Sequence, residues 1–323
     1  MDTVVLMTGV GGVEKLEISQ ISSKQPGPGM ARIRNLAIGV NFIDIYHRTG
    51  LYPLSLPATL GVEAAGVVEA LGEGVTGFSI GDRVAYAGAP VGAYATARSL
   101  PVARLIKLPD GIEFRSAAAS MLKGLTAHML LTRIYAVERG TTLLVHGAAG
   151  GLGSILVRWA KHLGATVIGT AGSEAKADVA RSYGADHVIV GRNVDFVSEV
   201  GSLTQGVGVD FTIDGIGGDT LLKSLACTRR FGTVASIGQA AGPIPSLAVE
   251  DIGPIRSLSL ARPSVMAYAA DLPAYHQAAK ALLEIMQKGV CTEIGHEYPL
   301  AEAAQAQSDL EAGRTTGSLL LIP

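Results

Sequence analysis

The sequence predicts an α/β fold: a doubly wound parallel sheet joined to a second, β-rich region. Three observations predict it. Short apolar runs alternate with amphipathic stretches of helical length from residue 142 to residue 238. The octapeptide His-Gly-Ala-Ala-Gly-Gly-Leu-Gly, residues 146–153, stands between the first such run and the first such stretch. Residues 1 to about 115 lack that alternation and hold short β-like runs punctuated by Gly and Pro. Strands that alternate with helices form right-handed crossovers and hence a parallel sheet covered on both faces.

In the first region, residues 30–36 alternate apolar and polar side chains, as a half-buried strand does. Residues 61–68 and 82–86 are further short runs, with Gly72-Glu-Gly74 as a turn between them. An irregular all-β region is expected there. From 116 to 132 apolar residues recur at helical spacing. Strands are then expected at 142–146, 166–170, 186–190, 208–214 and 232–238, and helices at 151–163, 174–183 and 219–227. A strand at 257–260 would complete the sheet. After Pro263 a long helix is expected over 271–288, another near 301–313, and a terminal strand at 318–322.

The 323 residues are enough for two cores. A hydrophobic share of 48% against a charged share of 17% is the reverse of a disordered composition. The formal net charge is −2 and no long Lys or Arg run occurs, which argues against nucleic acid or an anionic membrane as partner. Cys227 and Cys291 are too few for a disulfide framework or a four-cysteine zinc lobe and read as small buried apolar residues. The N-terminus has Asp2 and no basic residue ahead of an apolar stretch, unlike a signal peptide. No uncharged apolar run reaches the ~18 residues of a membrane span. A cytoplasmic enzyme is expected.

The strongest local signal is the octapeptide at 146–153. A pyrophosphate needs backbone N–H groups aimed at it, no Cβ in the way, and the favourable field of a helix N-terminus. In a G-x-G-x-x-G frame the three places fall on Ala148, Gly150 and Gly153, so the first glycine is replaced. Strand, turn and helix nonetheless stand in the order that dinucleotide binding requires. At the end of the second strand an NAD-selective fold places Asp or Glu for the ribose 2′-hydroxyl. Here the run is Thr170-Ala-Gly-Ser-Glu-Ala-Lys176, with Ala171 in the acid's place. Ser173 and Lys176 offer a hydroxyl and a cation for a 2′-phosphate, so NADPH is expected over NADH. Glu174, in the first turn of the next helix, is accounted for by the helix dipole.

These residues resemble the medium-chain dehydrogenase/reductases almost end to end. The resemblance rests on Asn41-Phe-Ile-Asp-Ile-Tyr46, Gly50-Leu-Tyr-Pro53, Gly61-Val-Glu63, Ala65-Gly66, Gly81-Asp-Arg-Val84, Lys123-Gly-Leu-Thr126, the turn at 146–153 and the ending 317–323. Within that superfamily the segments NFIDIYHRTGLYP and RPSVMAYA resemble the quinone oxidoreductase, ζ-crystallin-like branch. The resemblance implies a GroES-like catalytic domain over 1–123, completed by 264–323, and a Rossmann NADPH-binding domain over 124–263. It also implies a cleft between them and a homodimer.

Zinc enzymes of the superfamily carry a Cys near Asn41 and a Gly-His-Glu segment near Gly61. This chain has Val62 in place of that His and no Cys before Cys227, so no metal is expected. Asp44, His47 and Glu63 remain as donor types and are read as turn and strand-end hydrogen bonders. By resemblance Asn41, Tyr46, Tyr52 and Thr126 approach the nicotinamide, and no side chain is assigned as a general acid. The cofactor would be held by Asn41, Thr126, Ala149, Gly150, Gly151, Leu152, Gly153, Ser173, Lys176 and Gly238. Arg192 takes the electrostatic place of a tyrosine common after the third strand, and Arg314 reaches for the same phosphate. His47 and His128 are read as structural or exposed. Metal-free quinone reduction by NADPH is the expected activity. Reduction of an activated carbon–carbon double bond and a non-catalytic, crystallin-like NADPH-binding role are the alternatives.

Overall fold

Residues 30–35 alternate between buried and partly exposed positions, as their sequence pattern requires. The computed structural model describes residues 1–323 as two units, Met1–Leu125 with Val265–Pro323, and Thr126–Ser264. The chain runs through β1 (Asp2–Met7), β2 (Leu16–Ile21), β3 (Met30–Val40), α1 (Phe42–Arg48) and β4 (Ala58–Thr59). It continues through β5 (Glu63–Leu71), β6 (Arg83–Ala87), β7 (Ala97–Pro101), β8 (Ile106–Lys107) and α2 (Phe114–His128). The expectation of an all-β region is corrected by α1. That short helix starts because the Asp44 carboxylate accepts the Asn41 N–H at 2.9 Å, one half of a capping box. The helical stretch expected to reach residue 132 is α2, followed by a π-helical turn over Met129–Ile134.

The contiguous unit then follows: β9 (Thr142–Val145), α3 (Gly151–His162), β10 (Thr166–Ala171), α4 (Glu174–Ser182), β11 (His187–Val190), α5 (Phe196–Leu203), β12 (Val209–Asp214), α6 (Thr220–Cys227), β13 (Thr228–Ser236) and β14 (Ser259–Ala261). Its six strands are all parallel, in the order β11-β10-β9-β12-β13-β14. This is the doubly wound order, and its direction reverses between β9 and β12, where such sheets open a crevice at the carboxyl ends of their strands. Leu144, Ile168, Ile189, Phe196 and Val200 form one buried cluster against the sheet, and Leu221, Leu225, Val234 and Leu258 form another. The sequence reading left 191–207 without an element, but α5 lies there. It is eight residues long, buries only Phe196 and Val200, and is capped by Asp195 accepting the Ser198 N–H. β13 begins four residues before its expected start, across a register shift opposite Val209 and Phe211.

The chain returns to the first unit with α7 (Val265–Ala270), α8 (Leu272–Met286), β15 (Ile294–Pro299), α9 (Ala303–Glu311) and β16 (Ser318–Ile322). β16 inserts between β15 and β3 in a seven-stranded sheet whose path is β15-β16-β3-β5-β6-β8, with β7 paired to β3. Its Leu319 and Leu321 share a core with Ile33, Ile38, Val68 and Val84. β1, β2 and β4 form a separate three-stranded sheet. No helix is long and apolar enough to cross a membrane.

Candidate active site

In the contiguous unit, β9 leads through His146 into the turn 147–150, and α3 starts at Gly151. Gly147 sits at φ +64°, a left-handed conformation that a Cβ would strain. The Gly150 N–H donates to Gly147 O at 2.9 Å, and the Ala148 N–H donates to Thr170 O at 3.0 Å. Both amides are therefore committed inside the turn, and Gly150 serves it by lacking a side chain. A Cβ on Gly153 would lie 2.3 Å from Gly147 O. The opening amides of α3, at Gly151, Leu152 and Gly153, belong to the orphan donors that any helix start presents. The twelve-residue helix that they open adds a favourable field for an anion. These residues fit a dinucleotide pyrophosphate.

Beside this turn, β10 ends on buried Ala171. Ser173 caps α4, its hydroxyl accepting the Lys176 N–H at 3.4 Å. Arg192 lies over Gly172, whose hypothetical Cβ would be 3.5 Å from the Arg192 Cγ and Nε. Burial, and then the Arg192 charge, hold the Lys176 ammonium below the usual lysine range. Two cations thus share one corner where a strand ends without a carboxylate. Gly238 supports the crevice differently: a Cβ there would lie 2.7 Å from Gly215 O, so the loops after β12 and β13 touch through backbone. In the other unit, Arg314 forms an ion pair with Asp309, at 2.8 Å from Nε and 2.6 Å from Nη2.

The other candidate residues lie in the β-rich unit, except Thr126 and His128, which open the contiguous unit. Tyr46 on α1 and Tyr52 after it meet edge to face, with ring centroids 5.6 Å apart at 83°. Asn41, expected at the nicotinamide, uses its side chain within a buried cage. Its Nδ2 donates to Glu63 Oε1 at 2.7 Å, and its Oδ1 accepts from Lys123 Nζ at 2.7 Å. Lys123 also donates to Glu63 Oε1 at 3.0 Å, and the Leu122 N–H donates to Glu63 Oε2 at 2.6 Å. Glu63 is fully buried, and the Lys123 ammonium, the Asn41 amide and the Leu122 N–H together compensate its carboxylate. Asp44 accepts the Tyr94 hydroxyl at 2.9 Å as well as the Asn41 N–H. Burial pushes its carboxyl up to about 7, and the nearby Glu63 adds to the rise. His47 and His128 are both buried, and burial lowers the pKa of each. Sequence reasoning missed Tyr94 and gave Lys123 no role beyond its place in a matching segment. Val62 is buried, and no three His, Cys, Asp or Glu side chains gather as a metal-binding group. Thr126 is buried near the end of α2.

Two families match parts of the chain: the alcohol dehydrogenase GroES-like domain over residues 27–110, and the zinc-binding dehydrogenase over residues 151–283. A quinone oxidoreductase of Pseudomonas aeruginosa is 45% identical over 316 residues, 97% of each chain. The chain belongs to the quinone oxidoreductase family of medium-chain dehydrogenase/reductases. A 2-haloacrylate reductase of a Burkholderia species is similar too, 42% identical over 97% of this chain and 96% of its own. Among solved structures, Escherichia coli quinone oxidoreductase complexed with NADPH superposes with a TM-score of 0.96. It is 38% identical, over 99% of this chain and 100% of that one. As in other members of the quinone oxidoreductase family, the fold combines a GroES-like domain with a parallel Rossmann sheet.

Proposed function

We propose that this chain oxidises NADPH and reduces a quinone, with no metal ion in the reaction. The observation that carries the reading is the corner after β10. Ala171 leaves no carboxylate to repel a phosphate, and Lys176 and Arg192 together favour an anion there. The 2′-phosphate is the group that separates NADPH from NADH. Relatives named quinone oxidoreductases, at 39–45% identity over 97% of the chain, support the acceptor.

Bound NADPH supplies the hydride. The chain's own residues bind and orient. Ala149 and the opening of α3 receive the pyrophosphate, Ser173, Lys176 and Arg192 the 2′-phosphate, and Thr126 and Gly238 flank the cofactor by family resemblance. Arg314 is assigned to the phosphate by family resemblance alone; within its own unit it pairs with Asp309. Tyr46 and Tyr52 offer ring surface and hydroxyls to a flat acceptor. Asn41 contributes through the cage that fixes α1. The reduced acceptor takes its remaining proton from water, so no side chain is assigned as general acid. The unit Thr126–Ser264 serves as cofactor domain and the β-rich unit as catalytic domain.

A second reading, reduction of an activated carbon–carbon double bond, is favoured by the 2-haloacrylate reductase relative. Stopped-flow oxidation of NADPH against quinones, enones and 2-haloacrylates separates the two. Faster turnover with quinones supports the first reading, turnover confined to alkenes replaces it with the second, and no turnover with either class overturns both. Metal analysis should find well below one zinc per chain, with chelators leaving the rate unchanged. The proposal includes a homodimer formed along β14, an edge of the parallel sheet with exposed Val249 and Ile255 on the segment leading to it. It also includes a cytoplasmic setting.

A further inference from the structure

Beneath the turn 147–150 runs a chain of side-chain hydrogen bonds that joins β12, α6, β9 and β10. The His146 ring lies 2.9 Å by Nε2 from Ser224 Oγ and 3.1 Å by Nδ1 from Thr170 Oγ1. Ser224 Oγ donates to Asp214 Oδ2 at 2.8 Å, and the Gly147 N–H donates to Thr170 Oγ1 at 3.3 Å. Asp214 Oδ1 accepts the Ile216 and Gly217 amides at 2.8 and 3.0 Å.

The direction of every link follows from these contacts. A carboxylate only accepts, so Ser224 spends its one hydrogen on Asp214 and must accept from His146. His146 therefore carries its proton on Nε2 and presents a lone pair at Nδ1. That lone pair takes the Thr170 hydroxyl hydrogen, which leaves the oxygen's lone pairs facing the Gly147 N–H. Burial holds the imidazole below its ordinary pKa against the pull of Asp214, in keeping with a neutral ring. The Phe196 ring packs edge to face on it with centroids 5.0 Å apart.

The geometry points to His146 as a positioning residue that sets the dinucleotide turn, acting through Thr170. Thr170 clamps two successive amides, Gly147 by its hydroxyl and Ala148 by its carbonyl. Those are the residues at which the chain bends from β9 toward α3. The inference rests on the reading of this turn as the pyrophosphate site. Because the pyrophosphate is common to both nicotinamide cofactors, the clamp serves NADPH and NADH alike.

The test combines nitrogen-15 NMR of the histidine rings with cofactor titration. Wild type should show His146 as the neutral tautomer protonated on Nε2, and Ser224→Ala should abolish that preference. Thr170→Val should weaken NADPH and NADH by the same factor, about three- to tenfold for one neutral hydrogen bond, and Thr170→Ser should restore both. His146→Phe, which keeps the ring against Phe196, should match Thr170→Val. An Nδ1-protonated or cationic ring in wild type overturns the proposal. So does unchanged affinity in Thr170→Val with wild type binding normally. Failure of wild type to bind either cofactor would instead overturn the dinucleotide reading itself.

Discussion

The methyl group of Ala148 occupies the space that Gly169 leaves open on the neighbouring strand. A Cβ on Gly169 would stand 2.7 Å from the Ala148 Cβ, while its next neighbours, His187 O and the Ala185 Cβ, would be 3.8 and 3.9 Å away. The alanine in the first glycine place of the fingerprint is thus matched by a glycine on β10. Gly169→Ala should destabilise the protein by about 1–3 kcal/mol through overpacking. Adding Ala148→Gly should recover most of that loss, since the remaining contacts are ordinary. Urea denaturation of the two single variants and the double variant measures the coupling. Additive losses would show that the two methyl positions do not compete.

Cofactor choice should follow the corner after β10. A charge-assisted hydrogen bond contributes roughly 1.5–3 kcal/mol, or about ten- to a hundredfold in affinity. Lys176→Ala or Arg192→Ala should weaken NADPH on that scale and barely change NADH. Ala171→Asp should tilt the preference toward NADH. Added salt should shrink these differences. Equal affinity of wild type for the two cofactors would contradict the assignment.

Tyr52 is more than one-third exposed and holds its ring against Tyr46. Tyr52→Phe keeps that ring and should cost at most about 0.5–1.5 kcal/mol in kcat/KM for a quinone. Tyr52→Ala removes the packing as well and should cost more. Loss of several orders of magnitude in the Phe variant would make Tyr52 a catalytic acid.

Asp44 gives the stability a pH dependence of known sign. Its carboxyl is raised to about 7 from an ordinary 3.8, chiefly by burial, so the folded state holds a proton that the unfolded chain releases. Between those values its contribution to stability falls as pH rises, by at most about 1.4 kcal/mol per pH unit, and is constant above. Asp44→Asn has no such titration. The wild-type melting temperature, taken relative to the variant, should decline from pH 4 to pH 7 and then level. A flat difference curve across that range refutes the shift.

Where periodicity is long and local, the sequence told nearly everything. The helix expected at 151–163 is Gly151–His162, and the terminal strand expected at 318–322 is Ser318–Ile322. The short helices α1 and α5, seven and eight residues, escaped although α6, also eight, was expected; α5 buries only Phe196 and Val200 where α6 buries four residues. Their caps were legible, Asn41 with Asp44 and Asp195 with Ser198, but caps alone do not make a helix. In the site, the turn 146–153 could be read because all its parts are adjacent in sequence. The cage around Glu63 could not, since Asn41 and Lys123 stand 22 and 60 positions from it and Tyr94 reaches Asp44 across 50. Such contacts exist only once the sheet has brought its strands together.

The place of β16 between β15 and β3 bears on the order in which the chain is completed during synthesis. On the ribosome the unit Thr126–Ser264 emerges as one uninterrupted stretch and can close its six strands while translation continues. Ile38, Gly39 and Val40, made long before, wait for Leu319–Leu321 to pair with them. Until then the nascent protein carries an open strand edge, the kind of surface that recruits other unfinished chains. A nonsense codon shortly before residue 318 would make that transient edge permanent, so such truncated products should aggregate although the dinucleotide unit is whole.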